Sequence, residues 1–301
     1  MNALPYKSKQ YGLIAIKLCL LGLSLFYIIG RMDQDMTLGH GFLLLSMPIF
    51  SLLLIMATLN WTLEAIKWKL AVSPVRPMKL VEAYKQTLAG LALSLATPAR
   101  IGDFGVKAAY FSPSQRRSVL LSNGIAHGTQ FLATLFFGLL GLLLSWNLIH
   151  PFLATANFWL ATGIILLAAA LIWLVWKKGA RISIKRKIAL RSSLSVLGLS
   201  LMRYVCFSLM FTVLMQIQSI ELGWTQTLSL IWLTYLLSSA VPSFLILDVA
   251  IKGGVAVWLF SLAGIAAWPV LSAISLMWLF NMILPALIGA WFSLSYRPSH
   301  R

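Results

Sequence analysis

Residues 97–107 read TPARIGDFGVK, a polar stretch between the apolar runs LAGLALSLA and AAYF. Pro98 removes a backbone donor and disfavours helical angles at Thr97, so a helix is expected to end there. Asp103 can cap or begin the next helix, and Lys107 lies one turn further on the same face. The stretch therefore predicts a helix that is broken inside an apolar segment.

The rest of the chain has the composition of a membrane protein. Of its 301 residues, 60% are hydrophobic and 10% are charged, whereas soluble domains carry about 25% charged residues. Several apolar runs reach the roughly 20 residues that a helix needs to cross a bilayer, and they do not alternate as β-barrel strands do. We predict an all-α, polytopic membrane protein that forms a single membrane domain over 1–301, with no soluble domain.

The apolar runs are either complete or broken. Segments 79–111 and 225–262 are interrupted by Pro98 and Pro242, and each is predicted to form two half-length helices. Broken backbone is tolerated at membrane depth only where protein buries it or water reaches it. These segments are therefore re-entrant hairpins or pairs of short spans. The remaining runs are predicted as six full transmembrane spans: 12–30, 42–66, 118–146, 156–176, 193–217 and 266–293.

The two broken segments also resemble each other. The 145-residue separation of Asp103 and Asp248 equals that of Lys107 and Lys252. If each hairpin returns the chain to the same side, each half crosses the membrane an odd number of times, so the halves have opposite orientations. Paired broken helices in inverted repeats point to a transporter-type site near the midplane. The predicted repeats are about 12–146 and 156–293.

Lysine and arginine set the predicted orientation. Eighteen of the 24 fall in loops on one side, one (Arg31) falls on the other, and five lie within apolar segments. This is the positive-inside pattern, and it argues against nucleic acid as the partner of the +17 net charge. We expect a multi-pass protein of the bacterial cell inner membrane with both termini cytoplasmic. Trp61, Lys67 and Trp68, where the second span ends, are interpreted as interface anchors.

Ionisable residues inside the apolar segments form the candidate site. Each costs roughly 2.5–3.5 kcal/mol on insertion scales, so their recurrence in both halves favours a function. Arg100, beside a helix N-terminus, is suited to hold phosphate. The alternative stays open that the Asp–Lys pairs neutralise each other and that Arg100 snorkels. The candidate substrate-binding residues are Thr97, Pro98, Arg100, Gly102, Asp103, Lys107, Arg203, Asp248 and Lys252.

Other polar residues lie within the predicted spans. Arg203 is either a lining residue or half of a buried pair. Asn123, His127 and Gln130 recur at near-helical spacing, which indicates a polar packing stripe, with a proton relay as the alternative. Asn281 is interpreted as part of a packed kink in the last span.

Catalytic and metal-binding patterns are missing from the sequence. There is no H-E-x-x-H, no G-x-S-x-G and no Walker loop. Cys19 and Cys206 lie in apolar runs, so neither a disulfide framework nor a metal site is expected. We therefore expect no enzyme activity and no cofactor.

Two motifs carry a resemblance to a known family. NWTLEAIKWKLAV (60–72) and LAGLALSLATPARIGDFGVKAAYF (88–111) resemble the transmembrane domain of lysylphosphatidylglycerol synthase/flippases and its stand-alone flippase-like relatives. The family pattern is roughly N-x-x-x-E-x-x-K-W, then T-P-x-R-x-G-[DE], and the resemblance covers about 42–293. It implies a lipid translocator with inverted repeats and re-entrant helices. The implied site residues are Thr97, Pro98, Arg100, Gly102 and Asp103.

The chain departs from that pattern in two places. Asp103 stands where Glu is common, and SFLILDVAIKGG (243–254) replaces a glycine-rich G-x-G-x-x-E stretch. The aminoacyl-transferase domain of the bifunctional members is not seen, so no synthase activity is expected. The lipid therefore stays open.

The leading hypothesis is a lipid flippase or lipid-linked carrier translocator that moves a phosphate-containing headgroup. Arg100, Lys107, Arg203 and Lys252 would meet the phosphate, while the aspartates balance charge or bind a cationic headgroup. A proton or ion gradient would drive it, or it would only equilibrate the leaflets, and a homo-oligomer is compatible with the sequence. The alternatives are a membrane helper subunit of a lipid-modifying or glycosylating enzyme, and a small-solute secondary transporter.

Overall fold

A computed structural model describes residues 46–95, 97, 101–155, 186–218, 220–240 and 245–294. These residues form helices and no strand, which confirms the all-α prediction for this part of the chain. In chain order the helices are α1 (Met47–Val72), α2 (Leu80–Leu95), α3 (Ile101–Ala109), α4 (Arg116–Leu144), α5 (Trp146–Thr155), α6 (Arg186–Ile217), α7 (Trp224–Ser239), α8 (Leu245–Leu262), α9 (Ala267–Trp278) and α10 (Leu284–Leu294). A π-helical turn, Leu279–Ile283, joins α9 to α10.

Four helical stretches are long and apolar enough to cross a membrane. They correspond to four of the six predicted full spans, and the other two, 12–30 and 156–176, lie outside the described residues. The membrane-protein prediction is therefore supported, and the count of six stays a prediction. The four stretches are Met47–Val72, Arg116–Leu144, Ser193–Ile217 and Ala267–Phe292.

Both broken segments contain two helices, as predicted, but of the four only α3 is half-length, since α2, α7 and α8 have 16, 16 and 18 residues. In the first, α2 ends at Leu95 and α3 begins at Ile101, and in the second, α7 ends at Ser239 and α8 begins at Leu245. Helix α3 has 9 residues, which at about 1.5 Å per residue covers roughly 14 Å, less than half of a hydrocarbon core of about 30 Å. Helix α3 alone is therefore too short to cross.

Close backbone contact holds α2 against α3. The Gly102 N–H donates to the Thr97 hydroxyl at 2.7 Å, and that hydroxyl donates to the Leu93 carbonyl at 3.0 Å. A methyl group on Gly102 would overlap the same Leu93 carbonyl, and one on Gly90 would overlap the Asp103 carboxylate. Two glycines therefore let the helices approach closely enough to fix the position of Asp103.

The described helices occur in the same order in both halves. A long helix (α1 or α6) is followed by a broken pair (α2–α3 or α7–α8) and then by another long stretch (α4 or α9–α10). The last helix of each half packs on the first half-helix of the other, since α4 contacts α7 and α10 contacts α2. Glycines mediate both contacts, with Gly141 against Ser229 and Gly289 against Leu88. The two halves therefore exchange equivalent contacts.

The long helices α1 and α6 pack against each other. One apolar cluster includes Leu53, Met210 and Phe260, all fully buried. A smaller apolar cluster includes Trp68 and Val119.

Candidate functional site

A cavity of about 260 Å³ opens where α1, α2, α3, α4, α6, α7, α8 and the α9–α10 stretch converge. Its wall carries four cationic and three anionic side chains, so the described wall has an excess of one positive charge when histidine is neutral. Ionisable groups are costly in a membrane-spanning bundle and usually mark substrate or ion pathways. The seven are Glu64, Lys67, Asp103, Lys107, Arg203, Asp248 and Lys252.

Glu64 anchors the first of two charged networks. Its carboxylate lies 2.6 Å from the Lys67 ammonium and 3.0 Å from the Arg203 guanidinium. The Gln130 side-chain oxygen accepts hydrogen bonds from the same two cations, at 3.3 and 3.2 Å. One carboxylate thus pairs with two cations, so the single excess positive charge of the cavity wall belongs to this Glu64 network.

Asp103 anchors the second network. One carboxylate oxygen accepts hydrogen bonds from Lys107 at 3.0 Å and from the Asn123 amide at 2.8 Å, and it lies 2.9 Å from His127 Nε2. Lys107 also donates to the Asn123 oxygen at 3.0 Å and lies over the Trp68 ring. Asp103 and Lys107 are buried, whereas 37% of the His127 side chain is exposed. In this arrangement Asp103 and Lys107 neutralise each other.

The matching pair in the second half is more accessible. The Lys252 ammonium lies 2.5 Å from the Asp248 carboxylate, and their side chains are 25% and 20% exposed. Lys252 also lies 5.8 Å from the centre of the Tyr235 ring. The two aspartate–lysine pairs therefore have the same helical spacing and different burial, and Lys252 is better placed to meet a molecule in the cavity.

The structure brings five of the nine predicted site residues to one cavity. They are Asp103, Lys107, Arg203, Asp248 and Lys252. Thr97 and Gly102 instead form the junction between α2 and α3. Pro98 and Arg100 lie outside the described residues. A substrate-binding role for any of the nine stays a prediction.

The interpretation of Trp61, Lys67 and Trp68 as interface anchors is wrong. Lys67 is 1% exposed and Trp68 is fully buried. Helix α1 continues to Val72, so Lys67 lies within it and turns toward Glu64, while Trp68 donates its indole N–H to Gln86 at 2.8 Å. Lys67 thus leaves the set of loop charges, and the orientation stays a prediction.

The polar stripe on α4 links the two networks. Asn123 and His127 contact Asp103, and Gln130 contacts Lys67 and Arg203. The near-helical spacing of these three residues in the sequence indicated the stripe. Their partners were not predicted, because the partners lie on other helices. Arg203 is both a lining residue and half of an ion pair.

The polar residue of the last span also has a long-range partner. Asn60 on α1 donates to the Asn281 side-chain oxygen at 2.6 Å. Asn281 lies in the π-helical turn, an irregularity that often occurs at functional sites. The predicted kink position therefore coincides with a local change of helix type that contributes to the cavity wall.

Metal binding receives no support from the described geometry. Within the ranges that the structure covers, no group of three or more His, Cys, Asp or Glu side chains is placed to hold a metal ion.

The sequence was also compared with known proteins. No protein-family model matches it, and no curated protein matches it. The family resemblance of 60–72 and 88–111 therefore supports a proposal about function and does not establish one.

Proposed function

We propose that this protein is a lipid flippase or lipid-linked carrier translocator of a bacterial inner membrane, and that it moves a phosphate-containing headgroup. The observation that carries the proposal is the charged cavity, which lies inside a bundle with four membrane-length helical stretches. A lipid has a polar head and apolar tails, so it needs a polar path for the head alone. The cavity offers such a path, and the tails remain in the bilayer.

The charge distribution favours an anionic headgroup. The Glu64 network holds Lys67 and Arg203 on a single carboxylate, so a phosphate diester would balance its positive excess. Arg203 Nε is buried without a hydrogen-bond partner among the described residues. A guanidinium binds phosphate oxygens through two parallel hydrogen bonds, and Arg203 therefore provides the directional contact.

The architecture supports movement between two open states. We propose that 12–146 and 156–293 are inverted repeats and that both broken segments are re-entrant. The equivalent helix order, the exchanged packing of α4 on α7 and of α10 on α2, and the shortness of α3 support this. In transporters of this kind one repeat rocks against the other around a fixed central site.

The proposal is tested with vesicles that contain only the purified protein. An impermeant quencher reports how fast a headgroup-labelled phospholipid crosses between leaflets. We expect faster exchange than in protein-free vesicles, slower exchange with Lys252→Gln, and no change with Lys85→Gln, because Lys85 is exposed on α2 and does not line the cavity. Exchange at the protein-free rate would contradict the proposal and favour a helper subunit.

A further inference from the structure

Unpaired polar atoms gather in the wall of the cavity. Asn60 Oδ1, Trp61 Nε1, Thr87 Oγ1 and Trp278 Nε1 are buried and have no hydrogen-bond partner among the described residues, and all four residues line the cavity. Asn60, Trp61 and Thr87 are only 3%, 9% and 7% exposed. Buried polar groups in native proteins are nearly always hydrogen-bonded. These four therefore require a partner that the described protein does not supply.

The four residues that carry these atoms are uncharged, and we call this set of cavity-lining residues the neutral end. Asn60 and Trp61 lie on α1, Thr87 on α2 and Trp278 at the end of α9. The hydrogen bond from Asn60 to Asn281 ties α1 to the π-helical turn that follows Trp278. Glu64 lies four residues beyond Asn60, one turn along the same face of α1. The neutral end is therefore continuous with the Glu64 network.

The hydrogen-bonding types at the neutral end select among ligands. The two indole N–H groups only donate, the Asn60 oxygen only accepts, and the Thr87 hydroxyl does both. An ammonium group only donates, a phosphate diester only accepts, and a quaternary ammonium does neither. A hydroxyl donates and accepts, so a compact group with several hydroxyls matches all four atoms.

A sugar ring has this chemistry in the right form. It presents several hydroxyls around a small body, and its C–H faces pack against aromatic rings such as those of Trp61 and Trp278. Binding pockets commonly combine aromatic walls with a few polar groups that fix the orientation of the ligand. A polar amine headgroup would leave the indole donors unpaired, which is unfavourable.

We propose that the neutral end binds a sugar and that the substrate is a sugar phosphate. The phosphate would lie toward Lys67 and Arg203, and the sugar toward Asn60, Trp61 and Trp278. That this phosphate is attached to a lipid rests on the proposed function. A free sugar phosphate and a lipid-linked one present the same sugar and phosphate to the cavity wall, so the experiment compares the two.

Calorimetric titration of the purified protein in detergent tests the sugar site. The probes are glucose, galactose and mannose 1-phosphates, inorganic phosphate and O-phosphoethanolamine. We expect at least one hexose phosphate to bind about tenfold more tightly than the two sugar-free probes, as for ligands that satisfy buried polar groups. Equal affinity for all probes would overturn the inference.

Conservative variants then assign the preference to the neutral end. Trp61→Phe, Thr87→Val and Trp278→Phe should each reduce the preference for sugar by about tenfold and leave the affinity for inorganic phosphate unchanged. Trp268→Phe is the matched control, because the Trp268 indole N–H is also buried without a partner among the described residues but lies outside the cavity wall. A preference that survives all three changes, or that Trp268→Phe also removes, would overturn the assignment. Melting temperatures identify any variant that misfolds. The sugar preference of the other variants then tests the assignment.

A long-chain alkyl glucosyl phosphate separates the two sources. If this probe binds more tightly than glucose 1-phosphate, the substrate is lipid-linked. If the two bind equally, the substrate is a free sugar phosphate. Both outcomes are compatible with the sugar site. A sugar preference without exchange of a labelled alkyl glucosyl phosphate in vesicles would contradict the proposed function and keep this inference. Exchange of sugar-free phospholipid without a sugar preference would do the reverse.

Discussion

The Arg203 guanidinium on α6 lies 3.0 Å from the Glu64 carboxylate on α1, and this contact joins the two halves of the chain. The same carboxylate lies 2.6 Å from Lys67. Glu64 therefore contacts one cation from each half. Its loss would leave two cations in the bundle without their acidic partner.

Glu64→Gln should lower the free energy of unfolding by about 3–5 kcal/mol, the range for breaking a buried ion pair. Glu82→Gln is the control, because Glu82 and its partner Arg76 have side chains that are 40% and 41% exposed. Exposed pairs contribute less than about 1 kcal/mol. Denaturant titration in detergent measures both changes, and equal losses would contradict the central position of Glu64.

Gly102→Ala should destabilise the protein by about 1–3 kcal/mol, as overpacking does in a well-packed interior. The new methyl group would overlap the Leu93 carbonyl and push α3 away from α2. Gly105→Ala, in the same short helix, meets no atom within 4 Å. That control should be neutral or more stable by up to about 1 kcal/mol, since alanine favours helix. Melting temperatures that fall equally would show that the α2–α3 contact is not close.

Asp103→Asn should reduce stability more than Asp248→Asn, although the two aspartates hold equivalent positions. Lys107 is 2% exposed and would lose its carboxylate partner among buried groups, whereas Lys252 is 25% exposed and can reach water. The yield and melting temperature of the two variants measure the difference. A greater loss in the Asp248 variant would contradict the burial that distinguishes the two pairs.

Much of the fold could be predicted from local sequence. The prolines at 98 and 242 and the lengths of the apolar runs predicted the two broken segments, because helix breaking is a property of the backbone nearby. The Asp–Lys spacing placed both members of each pair on one helix face, and ion pairing between them was the alternative to a substrate-binding role. Both pairs are present at Lys107 and Lys252.

The networks between helices could not be predicted in the same way. Spacing shows which residues share a face of one helix and does not show which other helix that face meets. The Glu64–Arg203 pair was missed for this reason. Lys67 was misplaced because charges lower the local hydropathy, and the predicted span therefore ended at 66 although α1 continues to Val72.

Labelling of an introduced cysteine tests the predicted orientation. In a chain with Cys19 and Cys206 replaced by serine, a cysteine at Asn147 should react with an impermeant reagent in intact cells. Asn147 is exposed in the structure, where α5 begins. A cysteine at Ser73, exposed just after the end of α1, should react only after lysis. The opposite pattern would reverse the topology.

Blocking the cavity is the most direct test of whether a headgroup moves through it. In the same cysteine-free background, Thr134→Cys places a thiol on α4 in the cavity wall, and Gly124→Cys places one at an exposed position of the same helix with no atom within 4 Å. Lipid exchange in vesicles is measured before and after both variants react with a bulky, membrane-permeable maleimide. Modification should stop exchange in the Thr134 variant and leave it unchanged in the Gly124 variant. Unimpaired exchange after complete modification of the Thr134 variant would contradict passage of the headgroup through the cavity.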